Sequence, residues 1–179
     1  MKPKPEDLTE VLHRLSLNTI AQHYEDLGRE AAREGLSHVE YLRRLAEAEA
    51  AARYERSVQR RTKAARLPVL KTLDQFDWSW PKRINRAQVQ DLFRLRFVEQ
   101  NTNVVFIGGV GLGKTHFAIA LAHSACLNNV PTLFVPAVEI VNTLSAAQAT
   151  NTLSKALKAY VAPRLLVVER VEDHRCHRS

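Results

Sequence analysis

"GGVGLGKTH", residues 108–116, separates an apolar run, "NVVFIG", from the helical pattern "KTHFAIALAHSACLNN". Gly108, Gly113, Lys114 and Thr115 fit the G-x-x-x-x-G-K-[ST] spacing without a gap. The loop leaves one expected strand and opens one expected helix, which is the context its chemistry requires. Glycines let successive backbone N–H groups converge on phosphate oxygens, and the helix N-terminus adds positive potential. Gly109 and Gly111 loosen the loop further. Lys114 is suited to reach the β- and γ-phosphates of a nucleoside triphosphate, and the Thr115 hydroxyl to ligate Mg²⁺. The candidate nucleotide-binding residues are therefore Gly108, Gly109, Val110, Gly111, Leu112, Gly113, Lys114, Thr115 and His116. As a general base His116 is the weaker reading, because a helical residue at that place more simply faces away from the phosphates.

Working outward, Asn103 begins a β-α-β pattern. "NVVFIG" is the first strand; the following helix carries Phe117, Ala118, Leu121, Ala122 and Ala125 at helical spacing; "PTLFVP" is the second strand. Helices over 137–148 and 151–160 lead to a third strand, "RLLVV". Alternation of this kind implies an α/β fold with a parallel sheet and flanking helices. The expected class is a P-loop NTPase sheet, incomplete, preceded by an all-helical N-terminal region. The expected organisation is helical over 1–66, a connector and helix over 67–100, a partial P-loop core over 101–168, and a divergent tail over 169–179.

In the N-terminal region, Leu8, Leu12, Leu15 and Leu17 begin an apolar stripe that Ile20, Tyr24 and Leu27 continue, with Gly28 and Gly35 as breaks. "SHVE" offers a capping box, Ser37 with Glu40, that opens a helix over 38–64. After Pro68 the period is lost, and "LKTLDQFDWSWPKRIN" sets Phe76, Trp78 and Trp80 beside Pro81 in a connector that docks aromatics onto the next domain. "NRAQVQDLFRLRFVEQN" then predicts a helix of about 15 residues capped by Asn85, with Gln88 at the reciprocal position.

Charge is unevenly spread. Residues 1–52 carry 7 basic and 10 acidic residues, whereas 53–96 carry 12 basic and 4 acidic. A concentrated positive segment is the footprint of a polyanion binder, since each neutralised phosphate releases counterions. Arg53, Arg56, Arg60, Arg61, Lys63 and Arg66 are the candidate contacts to double-stranded DNA, a solvated helix face being the alternative. No apolar run reaches the roughly 18 to 20 residues that span a bilayer, and "MKPKPEDLTE" has no signal-peptide core, so no membrane partner and a cytoplasmic location are expected. Two cysteines, Cys126 and Cys176, do not make a disulfide framework.

"RRTKAARLP", "LKTLDQFDW", "GGVGLGKTHFAIALAHSAC" and "LFVPAVEIVNTL", in that order, resemble the IstB-like ATPases, helper subunits of insertion-sequence transposition and relatives of the DnaC-type helicase loaders. The resemblance runs from about Leu8 to Val168. It implies an AAA+-type ATPase domain that binds ATP, assembles as a homo-oligomer on DNA and assists a transposase. A replication helicase loader and a non-hydrolysing DNA-binding or interaction fragment are the competing readings.

The chain departs from this family at its second acidic element. Where Asp-Glu is expected, Val168 is followed by Glu169 and Arg170. Glu169 keeps a carboxylate at the metal position, one methylene longer, while Arg170 puts a cation in place of the water-polarising acid. Hydrolysis is therefore expected to be impaired, with Glu169 the sole catalytic candidate. Glu172 and Asp173 lie about 10 Å or more farther along an extended chain, and "HRCH" at 174–177 supplies too few ligands for a metal site. The switch to polar text after Val168 implies a shifted reading frame, a damaged gene copy or a short paralogue.

Overall fold

The computed structural model describes residues 7–79 and 84–170, which form two compact units meeting at Ser57 and Val58. The first unit is helical: α1 (Leu8–Arg14), α2 (Asn18–Glu34) and the first three quarters of α3 (His38–Ala64). The break between α1 and α2 falls at Leu15–Leu17, where Ser16 takes a left-handed φ of 59°, and not at Gly28. Gly28 sits inside α2, where its cost of about 1 kcal/mol relative to Ala is carried by the helix's packed face. Gly35 ends α2 as a left-handed C-cap, φ 65°. Ser37 Oγ accepts the Glu40 amide at 3.2 Å, but the Glu40 carboxylate turns to Arg43, so half of the expected capping box forms.

The N-terminus of α2 has Leu17 as its cap and no capping side chain of its own. Glu49 of α3 supplies one: its Oε2 accepts the amides of Thr19 at 2.7 Å and Ile20 at 3.2 Å. Glu49 is 4% exposed, and its other oxygen accepts Arg53 Nε at 2.9 Å and an Arg56 guanidinium nitrogen at 3.2 Å. Burial pushes this carboxyl up, but Arg53 and the Ile20 and Thr19 amides outweigh it and hold it below the usual carboxylate range.

The second unit contains the end of α3, a 3-10 turn (Leu73–Gln75), α4 (Arg86–Leu92), α5 (Arg96–Glu99), α6 (Lys114–Leu127), β1 (Thr132–Pro136), α7 (Ala137–Ala149), α8 (Leu153–Val161) and β2 (Leu165–Glu169). Asn85 caps α4 through the Gln88 amide at 3.1 Å, as its side chain predicts. The expected 15-residue helix is broken into α4 and α5 by Leu95, which takes a φ of 58°. That conformation costs roughly 1 to 2 kcal/mol and turns the Leu95 side chain into the core beside Val98, Leu121 and Ala125.

β1 and β2 pair in parallel, from Thr132 against Leu165 to Pro136 against Glu169, with α7 and α8 in the crossover. α6 is apolar on nearly all sides and lies against both strands, burying Phe117, Ile119, Ala120, Leu121, Ala122, Ala125 and Cys126. The Phe134 amide of β1 donates to Ala65 O, just past α3.

The expected strand at 103–107 is not part of this sheet. Its residues alternate, Val104 and Phe106 half-buried, Val105 and Ile107 exposed, as in an extended chain. Among the described residues, no backbone hydrogen bond joins 103–107 to either strand, and an extended segment becomes a strand only through a ladder partner. Trp80, Pro81, Glu172, Asp173 and the "HRCH" segment lie outside the described residues.

Because the folded-state pKa of Glu49 is depressed, its stabilisation is present above the unfolded value, roughly 4.3, and is lost as pH falls through the folded value. Glu49→Gln should destabilise the helical unit by about 2 kcal/mol at pH 7 and flatten its loss of stability as pH falls below about 4.3. Urea melts followed by circular dichroism across that range check both; an unchanged acid limb would remove Glu49 from this role.

Candidate phosphate-binding site

The loop from Gly108 to Gly113 runs directly into α6, whose N-cap is Gly113. Gly111 and Gly113 have φ values of 78° and 81°, a region open to glycine and strained for other residues. The Phe117 amide donates to Gly113 O at 2.9 Å, closing the first turn. Lys114 Nζ curls back to donate to Gly108 O and Gly109 O, both at 2.7 Å, so the ammonium sits across the loop mouth. The N–H groups at the start of α6 and the Lys114 charge give this corner the positive potential that phosphate oxygens require.

Thr115 reaches the candidate acid, Glu169. Its Oγ1 donates to Glu169 Oε1 at 2.6 Å, joining residues 54 apart in sequence. Glu169 arrives there as the last residue of β2. The pair gives two adjacent oxygens. Mg²⁺ is commonly held by one or two protein oxygens plus phosphate oxygens and waters, and the pair suits that arrangement. A metal site built of protein groups alone is another matter: among the described residues no group of three or more His, Cys, Asp or Glu stands together.

His116 faces away from the phosphate side. Its Nε2–H donates to Thr72 O at 2.9 Å, and the Phe76 ring stands over it, centroids 5.3 Å apart. Phe76 also meets Phe117 at 4.2 Å and Trp78 at 5.0 Å, and the Arg86 guanidinium lies 5.0 Å from the Trp78 ring centre. "FDW" marks the docking segment in the sequence, but nothing there singles out Thr72, and aperiodic text gives no register for which ring meets which helix residue.

Beside the loop lies an open cavity of about 650 Å³, its wall mostly apolar, with Val89, Leu92, Phe97, Phe106, Leu112 and Phe117 among its residues and Lys114 at its edge.

The basic candidates divide by partner. Arg53 and Arg56 hold Glu49, and Arg53 also donates to Ser16 O at 2.8 Å. Arg61 Nε donates to Cys126 O at 2.8 Å, at the C-terminal end of α6, where a cation is favoured. Arg66 pairs with Glu139 at 3.3 Å. Arg60 and Lys63 are exposed on α3.

The sequence profile of the family described as IstB-like ATP binding protein matches residues 10–174. A Geobacillus stearothermophilus protein named for ATP binding in insertion sequence IS5376 is 32% identical over 166 residues, covering 93% of this chain and 66% of the relative. Its counterpart named for insertion sequence IS21 of Pseudomonas aeruginosa is 36% identical over 165 residues, covering 92% and 62%. One from insertion sequence IS232 of Bacillus thuringiensis subsp. berliner is 33% identical over 171 residues, covering 96% and 68%. The chain thus spans about two thirds of the length of these relatives. Among the described residues no helix is long and apolar enough to cross a membrane. With an uninterrupted G-x-x-x-x-G-K-T loop, a parallel strand pair behind it and a family profile over nearly its whole length, the chain belongs to the IstB-like ATP-binding proteins.

Proposed function

We propose that this chain binds Mg·ATP at residues 108–116, acts as an ATP-binding helper of DNA transposition on double-stranded DNA, and turns ATP over poorly or not at all. The observation that carries the nucleotide part is the 2.6 Å contact between Thr115 and Glu169, because it brings the end of β2 to the first turn of α6. In this reading the loop amides and Lys114 hold the phosphates, and Thr115 with Glu169 flanks the metal. The adjoining 650 Å³ cavity falls within the range of small-ligand sites and takes the nucleoside end. Bound Mg²⁺ would neutralise phosphate charge and orient the γ-phosphate; residues 108–116 would fix the chain's half of that arrangement.

Impaired turnover follows from Arg170, exposed and adjacent to Glu169, where a second carboxylate would polarise water. The DNA part is supported by the relatives' insertion-sequence names and by the basic stretch after residue 53. Arg60 and Lys63, both exposed on α3, are the first choices for phosphate contact. A transposase partner and assembly with further copies of the chain belong to the same reading.

Lys114→Ala should weaken Mg·ATP binding at least tenfold in isothermal titration calorimetry, while the wild-type chain releases phosphate far more slowly than the roughly 1 s⁻¹ at the low end of ordinary enzymes. Equal affinity in the variant would move the nucleotide elsewhere, and turnover near 1 s⁻¹ would overturn the impaired-hydrolysis reading. For DNA, anisotropy titrations of a labelled duplex between 50 and 200 mM salt should show a steep loss of affinity. Replacing Arg60 and Lys63 by Gln should reduce the slope of log affinity against log salt by roughly 0.9 for each phosphate contact removed. A slope unaltered by both changes would place the DNA face away from α3.

A further inference from the structure

The connector before α4 is more than a tether, because it is bonded and stacked against the residues that shape the phosphate loop. Thr72 is held by its own turn, its amide donating to Gln75 Oε1 at 3.1 Å, and its carbonyl receives His116 at 2.9 Å. Phe76 stands against Gly113: a Cβ built there would lie 2.5 Å from Phe76 Cε2 and 3.2 Å from Cζ. Gly113 is therefore constrained twice, by its φ of 81° and by an aromatic ring on the side where a methyl group would project. Asp77 stiffens the next turn by accepting the Ser79 amide at 2.8 Å, and the Ser79 hydroxyl, with that amide second, holds its carboxyl below the usual carboxylate range. Trp78 backs Phe76 at 5.0 Å and is covered by Arg86.

The geometry points to Phe76 as a positioning residue for the phosphate loop, and to residues 72–78 as the segment through which nucleotide occupancy is felt by the rest of the unit. This inference rests on nucleotide binding at residues 108–116. Its physical basis is that residues 113–115 carry the N–H groups and the side chains that would face phosphate, while residues 113, 116 and 117 face the connector. A rigid helix turn cannot shift one side without the other. Linkage then requires reciprocity: whatever tightens the loop around phosphate tightens the seat of Phe76, and whatever lifts Phe76 weakens phosphate binding by the same factor.

The test uses the full chain with Mg·ATP as the probe, pairing calorimetry with amide hydrogen exchange. In the wild type, Mg·ATP should slow exchange in residues 72–79 as well as in 108–118. Phe76→Ala should weaken Mg·ATP binding about tenfold and abolish the ligand-dependent protection of 72–79 while leaving some at 108–118. Phe76→Leu, which keeps apolar bulk and guards against a fold failure of the alanine variant, should recover part of both. Wild-type binding without any response in 72–79, or wild-type affinity in folded variants of both kinds, overturns the inference alone. Wild-type chain that gives neither heat nor protection with Mg·ATP overturns the nucleotide reading and this inference with it.

Discussion

The parallel pairing of Thr132–Pro136 with Leu165–Glu169 is the constraint from which the site takes its shape. Parallel strands put their C-terminal ends on one side, and here that side is where α6 begins. Phe134 and Val135 are both buried, on opposite faces of β1, so the register is fixed by side chains that cannot turn to solvent. A slip of one residue would reverse the faces of β2 and displace Glu169 by about 3.3 Å, more than the length of its bond to Thr115. The loop's chemistry is thus set by packing well behind it.

α6 transmits that constraint because it is held at both ends and along its sides. At its start, Gly113 takes the turn that no other residue enters cheaply, with Phe76 against it. Near its end, Cys126 O accepts Arg61, and the Cys126 side chain is fully buried. Burial pushes the Cys126 thiol pKa up, with Thr132 and Arg61 pulling the other way, so the group behaves as a small core side chain. Between these ends Leu121 and Ala125 join Leu95 and Val98, giving the helix a second layer on the side of α4 and α5.

What could be read from the sequence was local. The glycine turn into α6, the Asn85 cap, the Gly35 stop and the bounds of α3 all depend on residues within a few positions of one another, and each appears where its local chemistry places it. The features that were not legible depend on distant partners. Nothing near Glu49 shows that it caps a helix beginning 31 residues earlier, and so nothing shows that Arg53 and Arg56 are committed to it. Leu95 bears no mark of its left-handed turn, because the force that imposes it is burial beside Leu121. Apolar alternation at 103–107 is strand-like in pattern, but pairing is a property of neighbours, and those the pattern cannot name.

The extended segment at 103–107 also has a colloidal consequence. The β1 backbone is engaged outside the strand pair where Phe134 donates to Ala65, which blunts the sheet at that point. The neighbouring ribbon has no such stopper among the described residues: Val105 is 74% and Ile107 91% exposed, and the flanking Thr102, Asn103 and Gly108 carry no charge to repel another chain. Ribbons of this kind template strand addition, and charged gatekeepers are the usual defence. The same five residues that lead into the glycine loop are therefore an adhesive stretch of the described chain, on which concentration and crowding act.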